Sequence, residues 1–295
     1  MAKLNTNLEI HLSTQQSTLN AAACKYWKSE GVTRIVLGRE AGRTDIKNII
    51  DNVEVDIECF IHGAMCASYS GRCVLSNFLT ARDSNRGGCS QICRWDFDLH
   101  GDNGILKGDK DFTFCTKDLS MLRVLPEMID MGIASFKIEG RMRSIYYVAT
   151  IVNIYRRAID EYFENKDTYK YNEEYEKVLN ECANREATVQ FFLKDADVST
   201  QYYNGREEIS NQDFLGLVLD YNEETNMVLV EQRNYFKIGD KVEIFGPKTV
   251  PFTFEIGQIY DEDGNEIDVA RHPKQIVSFK LDKKVYKTDM IRIQK

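Results

Sequence analysis

The sequence predicts an α/β part followed by an all-β part: a partial TIM-like β/α barrel of about five units, then a small antiparallel β-barrel. Three observations carry this. Short apolar runs alternate with helical patterns through the first half of the chain. From about Asp213 onward the chain becomes a series of short apolar runs separated by polar turns such as YNEETN and DEDGNE. A polar, acidic stretch around residues 165–190 stands between them. The expected boundaries are therefore a partial barrel over 1–165, a helical connector over 166–204 and a β-barrel over 205–295.

In order, Leu8–Leu12 reads as the first strand, followed by a helix around Leu19–Ser29. Arg34–Leu37 is the second strand, Thr44–Ile50 a short helix and Val55–Phe60 the third strand. A long Gly- and Cys-rich insertion runs from His62 to Lys110. Phe112–Cys115 reads as the fourth strand with Ser120–Met131 as its helix, and Ala134–Ile138 as the fifth, before a long helix from about Ser144 to Phe163. Parallel β/α units gather functional groups at the C-terminal ends of their strands. Five units fall short of the eight that close a conventional barrel, so the sheet is open or early units are missing. An edge strand near Leu8 would then invite pairing with another chain, as a dimer. The later strands are FLGLVLDY, NMVLVEQR, DKVEIFG, TFEIGQIYD, QIVSFKL and DMIRI.

The bulk numbers set limits on function. The chain is 43% hydrophobic and 28% charged, has only four prolines and carries a net charge of −8, which argues for folded domains and against a general nucleic-acid-coating role. There is no run of eighteen apolar residues and no apolar core at the start, so a cytoplasmic protein is expected. Its eight cysteines should be reduced there. Cys24, Cys59 and Cys182 read as ordinary thiols.

The remaining pattern is C-x6-C-x15-C-x3-C, from Cys66 through Cys73 and Cys89 to Cys93, among Gly63, Gly71, Gly87 and Gly88. Four thiolates can complete a tetrahedral ion or hold an iron–sulfur cluster, and glycines let a loop wrap closely around such a centre. The six-residue first gap suits a zinc knuckle poorly. Free buried thiols are the bland alternative. At the strand ends stand Arg39, Glu40, Lys137, Glu139, Arg141 and Arg143. Lys137, Arg141 and Arg143 can grip a carboxylate or a phosphate; the alternative is a Lys137–Glu139 ion pair with the arginines opening a solvated helix. Arg72, Arg82, Arg86 and Arg94 against Asp83 form a local basic excess, with Tyr69 and Trp95 able to stack on a base or, more ordinarily, to pack around the centre. Neither HExxH nor G-x-S-x-G is present; His62 beside a cysteine is the one pairing a Cys–His protease would use.

Glu58–Ser76 (ECFIHGAMCASYSGRCVLS), Asn85–Arg94 (NRGGCSQICR) and Lys137–Ser144 (KIEGRMRS) together resemble the motifs of the collagenase-like peptidase family, family thirty-two of the peptidases of unknown catalytic type. Complete members begin with roughly three further β/α units, so the resemblance implies an N-terminally truncated chain. It also implies a function unlike the family's name. The better-understood members resemble hydroxylases of tRNA wobble uridine or of a ribosomal cytidine, with a related pair in ubiquinone biosynthesis. By resemblance, Cys66, Cys73, Cys89 and Cys93 hold a four-iron, four-sulfur cluster, lost or replaced by zinc in air. Lys137, Glu139, Arg141 and Arg143 are the expected catalytic group, prephenate the small co-substrate and tRNA the partner, within a homo- or heterodimer. Cys115 falls where the family varies and reads as a strand residue. A peptidase, or a noncatalytic partner subunit, is the alternative.

Overall fold

A computed structural model describes residues 7–102, 104–106, 111–183, 185–202 and 212–294. They form two compact units. The first falls within 1–142, 158–172 and 185–208, the second within 143–157, 173–184 and 209–295.

The first unit is a mixed α/β domain. Its sheet contains β1 (His11–Leu12), β2 (Arg34–Val36), β3 (Asp56–Gly63), β6 (Asp118–Ser120), β7 (Ser135–Ile138) and β8 (Ala187–Thr188). β1, β2, β3 and β7 run parallel: His11 lies opposite Arg34, Ile35 opposite Ile57, and Cys59 opposite Phe136. The expected strand at Phe112–Cys115 does not form. Those residues take up only an isolated bridge, Phe97 to Phe112, and the strand comes later as β6, antiparallel to β3 through the His62–Ser120 pair. The reason is local. The Thr113 and Thr116 hydroxyls donate to the Cys93 and Met65 carbonyls at 3.1 Å, which ties this stretch to the cysteine loop instead of a neighbouring strand. The sheet is thus mixed. The stretch expected to be a purely helical connector also supplies β8, which pairs with β6.

Between the strands, α1 (Ala21–Ser29) starts where the Asn20 side chain accepts from the Ala23 N–H at 2.9 Å. α2 (Arg43–Asn52) buries Ile46 and Ile49, one face of an amphipathic helix. α3 (Leu75–Thr80) and a hairpin of β4 (Leu99–Gly101) and β5 (Gly104–Leu106) lie within the long insertion. α4 (Leu125–Asp130) follows a single 3-10 turn, shorter than the helix expected from Ser120. In the second unit, α5 (Ile145–Glu164) begins where the Ser144 hydroxyl accepts from the Tyr147 N–H at 3.2 Å, and α6 (Glu173–Ala183) buries Leu179 and Cys182.

The second unit holds β9 (Gln212–Asn222), β10 (Met227–Gln232), β11 (Phe236–Lys237), β12 (Lys241–Phe245), β13 (Phe252–Glu255), β14 (Ile259–Tyr260), β15 (Glu266–Ile267), β16 (Val269–Ala270), β17 (Ile276–Lys280) and β18 (Met290–Gln294). Eight of these make one antiparallel sheet in the order β13-β12-β18-β9-β10-β17-β14-β15, a half-barrel. Its buried face carries Val218, Val228, Val230, Ile244, Ile259 and Phe279, on the alternate positions a one-sided sheet requires. TFEIGQIYD, read as one strand, is two: the chain breaks at Ile256–Gln258, and the Ile256 N–H turns aside to the Asp240 carbonyl. The expected boundary at 205 lies outside the described residues. Among the described residues no helix is long and apolar enough to cross a membrane.

Candidate cysteine centre at the strand ends

Because β1, β2, β3 and β7 are parallel, the segments that leave their C-terminal ends share one edge of the sheet. Those segments are Ser13–Gln16, Arg39–Glu40, Met65–Cys66 and Glu139–Arg141. The cysteine loop is docked onto this edge by its glycines and serines. Ser70 donates from both its N–H and its hydroxyl to Glu40, each at 2.8 Å. Gly71 sits at φ +72° with the Gln15 backbone so close that a Cβ there would stand 2.0 Å from the carbonyl oxygen. Gly63, at φ +111°, presses likewise on the backbone of Glu139.

Inside the loop, the Cys73 carbonyl accepts from the Ser84 hydroxyl at 2.9 Å and from the Asn85 amide at 3.0 Å. Ser76 accepts from the Ser90 N–H at 3.0 Å, and α3 packs beside the turn at Ile92–Arg94. All eight cysteines are free thiols. Cys66 lies within electrostatic reach of Cys89 and Cys73, and Cys93 within reach of Cys66, Cys115 and Cys89. Burial pushes the Cys93 thiol up to about 11, against the pull of Arg94. Burial of the sulfur also raises the Cys66 thiol, although the residue keeps an exposed surface; Arg39 opposes that rise. Thiols held neutral in this way deprotonate when a cation or cluster binds them. Among the described residues, no three His, Cys, Asp or Glu side chains are already closed around a single ion. A zinc ion would need the sulfurs drawn together to about 3.8 Å, the separation set by four bonds of about 2.3 Å. An iron–sulfur cluster would use the same four thiolates. The donor chemistry fits the cluster.

Two guanidiniums face these sulfurs. Arg39 lies over the Phe60 ring at 3.7 Å and points Nη1 at the Cys66 sulfur, 3.9 Å away. Arg94, counted in the sequence with the surface charges, is instead buried: its Nη1 donates to the Cys115 sulfur at 3.6 Å and its Nη2 lies 3.7 Å from Asp118. Asp118 is 1% exposed and also meets Arg185 at 3.6 Å. Cys115, read as a strand residue, is buried and lies within electrostatic reach of Cys93. Only the fold-back of residues 112–118 onto the loop brings it there, so spacing along the chain carried no signal for it. Tyr69 and Trp95, expected to pack around the centre, are exposed. Cys24, Cys59 and Cys182 are core thiols, pushed by burial up to about 11, 12 and 11.

The four residues expected to act together are placed differently from one another. Lys137 Nζ pairs with Glu58 at 3.0 Å, not with Glu139, and lies 5.6 Å from the Phe60 ring centre. Glu139 accepts from the Arg141 N–H at 3.1 Å, while the Arg141 guanidinium donates to the Gly87 carbonyl at 2.9 Å, on the cysteine loop. Arg143 belongs to the second unit, where it lies over Tyr147 and donates to the Ala183 carbonyl at 3.5 Å. His62 is 2% exposed inside β3, a position closed to a peptide substrate.

Glu58 supports the floor of this edge. Burial raises its carboxyl pKa, but hydrogen bonds from Lys137 and Ser135 and the charges of Lys137 and Arg34 outweigh burial and hold it below the ordinary value. A depressed carboxyl contributes stability above its unfolded pKa, about 4.3, and loses it as pH falls through the lower folded value. Replacing Glu58 by Gln should therefore destabilise the protein most at neutral pH. Urea midpoints of wild type and variant should converge in acid, and a gap that persists there would contradict the ion-pair account.

Comparison with known proteins places these observations in a family. Residues 1–202 match Peptidase family U32 and residues 210–292 match the Peptidase family U32 C-terminal domain. The chain is 51% identical over 292 residues to "tRNA hydroxylation protein P1" of Bacillus subtilis (strain 168), covering 97% of this chain and 69% of that one. It is 38% identical over 159 residues to "23S rRNA 5-hydroxycytidine C2501 synthase" of Escherichia coli (strain K12), covering 54% of this chain and 24% of the other. It is also 30% identical over 260 residues to "Collagenase" of Porphyromonas gingivalis (strain ATCC BAA-308 / W83), covering 82% and 62%.

Proposed function

The chain belongs to peptidase family U32, and we propose that it is an RNA-hydroxylating enzyme of that family, acting on the wobble uridine of tRNA with an iron–sulfur cluster held by Cys66, Cys73, Cys89 and Cys93. The observation that carries the reading is the gathering of these thiols at the C-terminal edge of parallel strands, with cationic side chains facing them. The parallel strands are read as an arc of a β/α barrel, where substrates bind at that edge. Relatives named for tRNA and rRNA hydroxylation point to the same chemistry.

When bound, the cluster supplies electron transfer; the protein's own residues do the rest. Arg39, stacked on Phe60, holds positive charge against the thiolates and is placed to grip a carboxylated co-substrate of the prephenate kind. Lys137, oriented by its ion pair with Glu58 and 5.6 Å from the centre of the same ring, is placed to add a second contact. Arg141 holds the cysteine loop at Gly87 and, through its backbone N–H, fixes the Glu139 carboxylate. Arg143 is read as a contact from the second unit toward RNA phosphate. The collagenase-named relative gives the peptidase alternative its basis, but His62, the histidine a Cys–His pairing would use, is 2% exposed inside β3.

The test is nucleoside mass spectrometry on a strain deleted for the complete gene. Loss of 5-hydroxyuridine-derived nucleosides is expected, with restoration by the wild-type gene and at most about 1% of wild-type product from Arg39→Ala, the scale of removing a bidentate charged contact. Unchanged tRNA and rRNA nucleosides would overturn the reading.

A further inference from the structure

The outer face of the cysteine loop holds an array that the centre itself does not use. Phe78, on α3, is 84% exposed, and Val74 and Tyr69 are 68% and 65% exposed in the same segment. Trp95, 51% exposed, follows the turn that packs beside α3. A large apolar surface left in water beside a redox centre invites a partner. The charges decide which kind. Between residues 64 and 95 the only acid is Asp83, and with Arg94 buried on Asp118 the surface charges are Arg72, Arg82 and Arg86. Among the described residues Arg72 and Arg82 find no side-chain hydrogen bond or ion pair, while Arg86 shares Asp83 at 3.5 Å and stays 86% exposed. This positive excess lies on a chain of net charge −8, so a polyanion is repelled by most of the surface and admitted here.

We propose that this face is the RNA-docking surface: Phe78 stacks on an unpaired base of a single-stranded loop, and Arg72, Arg82 and Arg86 hold the flanking phosphates. Aromatic side chains take splayed bases of loops, which duplex RNA does not offer, and arginines contribute the salt-dependent part of the affinity. The hydrogen bonds from Ser90 to Ser76 and from Arg141 to Gly87 fix this face to the loop that carries the thiols, so a base docked beside it is delivered to the centre. The inference rests on the RNA reading above and assigns the residues that make the contact.

The experiment measures binding of the full chain to an RNA stem-loop with an unpaired loop, and to the same stem closed as a duplex, across a salt series. Wild type should prefer the stem-loop. Phe78→Ala should weaken stem-loop binding at least about fivefold with an unchanged salt slope, and Phe78→Trp should restore it. The triple change Arg72→Ala, Arg82→Ala, Arg86→Ala should flatten the slope of log K against log salt by about 2. If wild type binds the stem-loop and every variant binds equally well, this surface is wrong and the RNA reading stands. If wild type binds no RNA, both fall. If Phe78→Ala leaves RNA affinity unchanged but alters the sedimentation coefficient, the face is an interface between copies of the chain and the proposal is overturned.

Discussion

Gly71→Ala should destabilise the first unit by about 3 kcal/mol or more, at the upper end of single-substitution effects. Two costs add. The residue sits at φ +72°, where a Cβ is strained. A Cβ would also stand 2.0 Å from the Gln15 carbonyl oxygen and 2.8 Å from its carbon, both backbone atoms that cannot swing aside. The loop can relieve the clash only by lifting from the β1 end, which breaks the paired hydrogen bonds of Ser70 to Glu40. Urea unfolding followed by tryptophan fluorescence measures the loss. A control, Gly87→Ala, also at positive φ but with open space around its Cβ, should pay only the strain of about 1 kcal/mol. Equal effects at the two glycines would show that the close approach to Gln15 carries no weight.

What the sequence revealed about this site, and what it concealed, follows from how far along the chain each contact reaches. The spacing of Cys66, Cys73, Cys89 and Cys93 is local information, and it singled out the proposed ligands without knowledge of the fold. Strand alternation placed Arg39 and Lys137 at strand ends, and the parallel register of β2, β3 and β7 puts them on one edge. The apolar, β-prone run at Phe112–Cys115 misled, because hydroxyls at Thr113 and Thr116 find carbonyl partners tens of residues back. That same fold-back brings Cys115 to the thiols and makes β6 antiparallel, neither of which a residue pattern encodes. Arg94 looked like a surface charge because its partner, Asp118, is distant in sequence. Lys137 was matched to Glu139 two residues away, yet its ion pair is across strands to Glu58. Glu139 lies past the end of β7, where its carboxylate turns back to the Arg141 N–H, so closeness along the chain was a poor guide to the pairing.

The largest expected effect on chemistry belongs to the cysteines. Replacing Cys66, Cys73, Cys89 or Cys93 by Ala should each remove most of the bound iron, since a cluster missing one thiolate loses one of its four protein ligands. Cys24→Ala and Cys182→Ala, which alter core thiols away from the loop, should leave iron unchanged. Cys115→Ser is the sharper comparison. Cys115 is buried beside Cys93 and accepts from Arg94, so it lies within the same field without belonging to the loop's four-cysteine series. Retained iron in that variant would separate the ligands from their neighbour. The most direct test of the account is the iron and acid-labile sulfide content of the anaerobically purified wild-type protein. The account predicts a brown protein with about four irons and four sulfides per chain. A colourless protein with one zinc per chain and no acid-labile sulfide would contradict it.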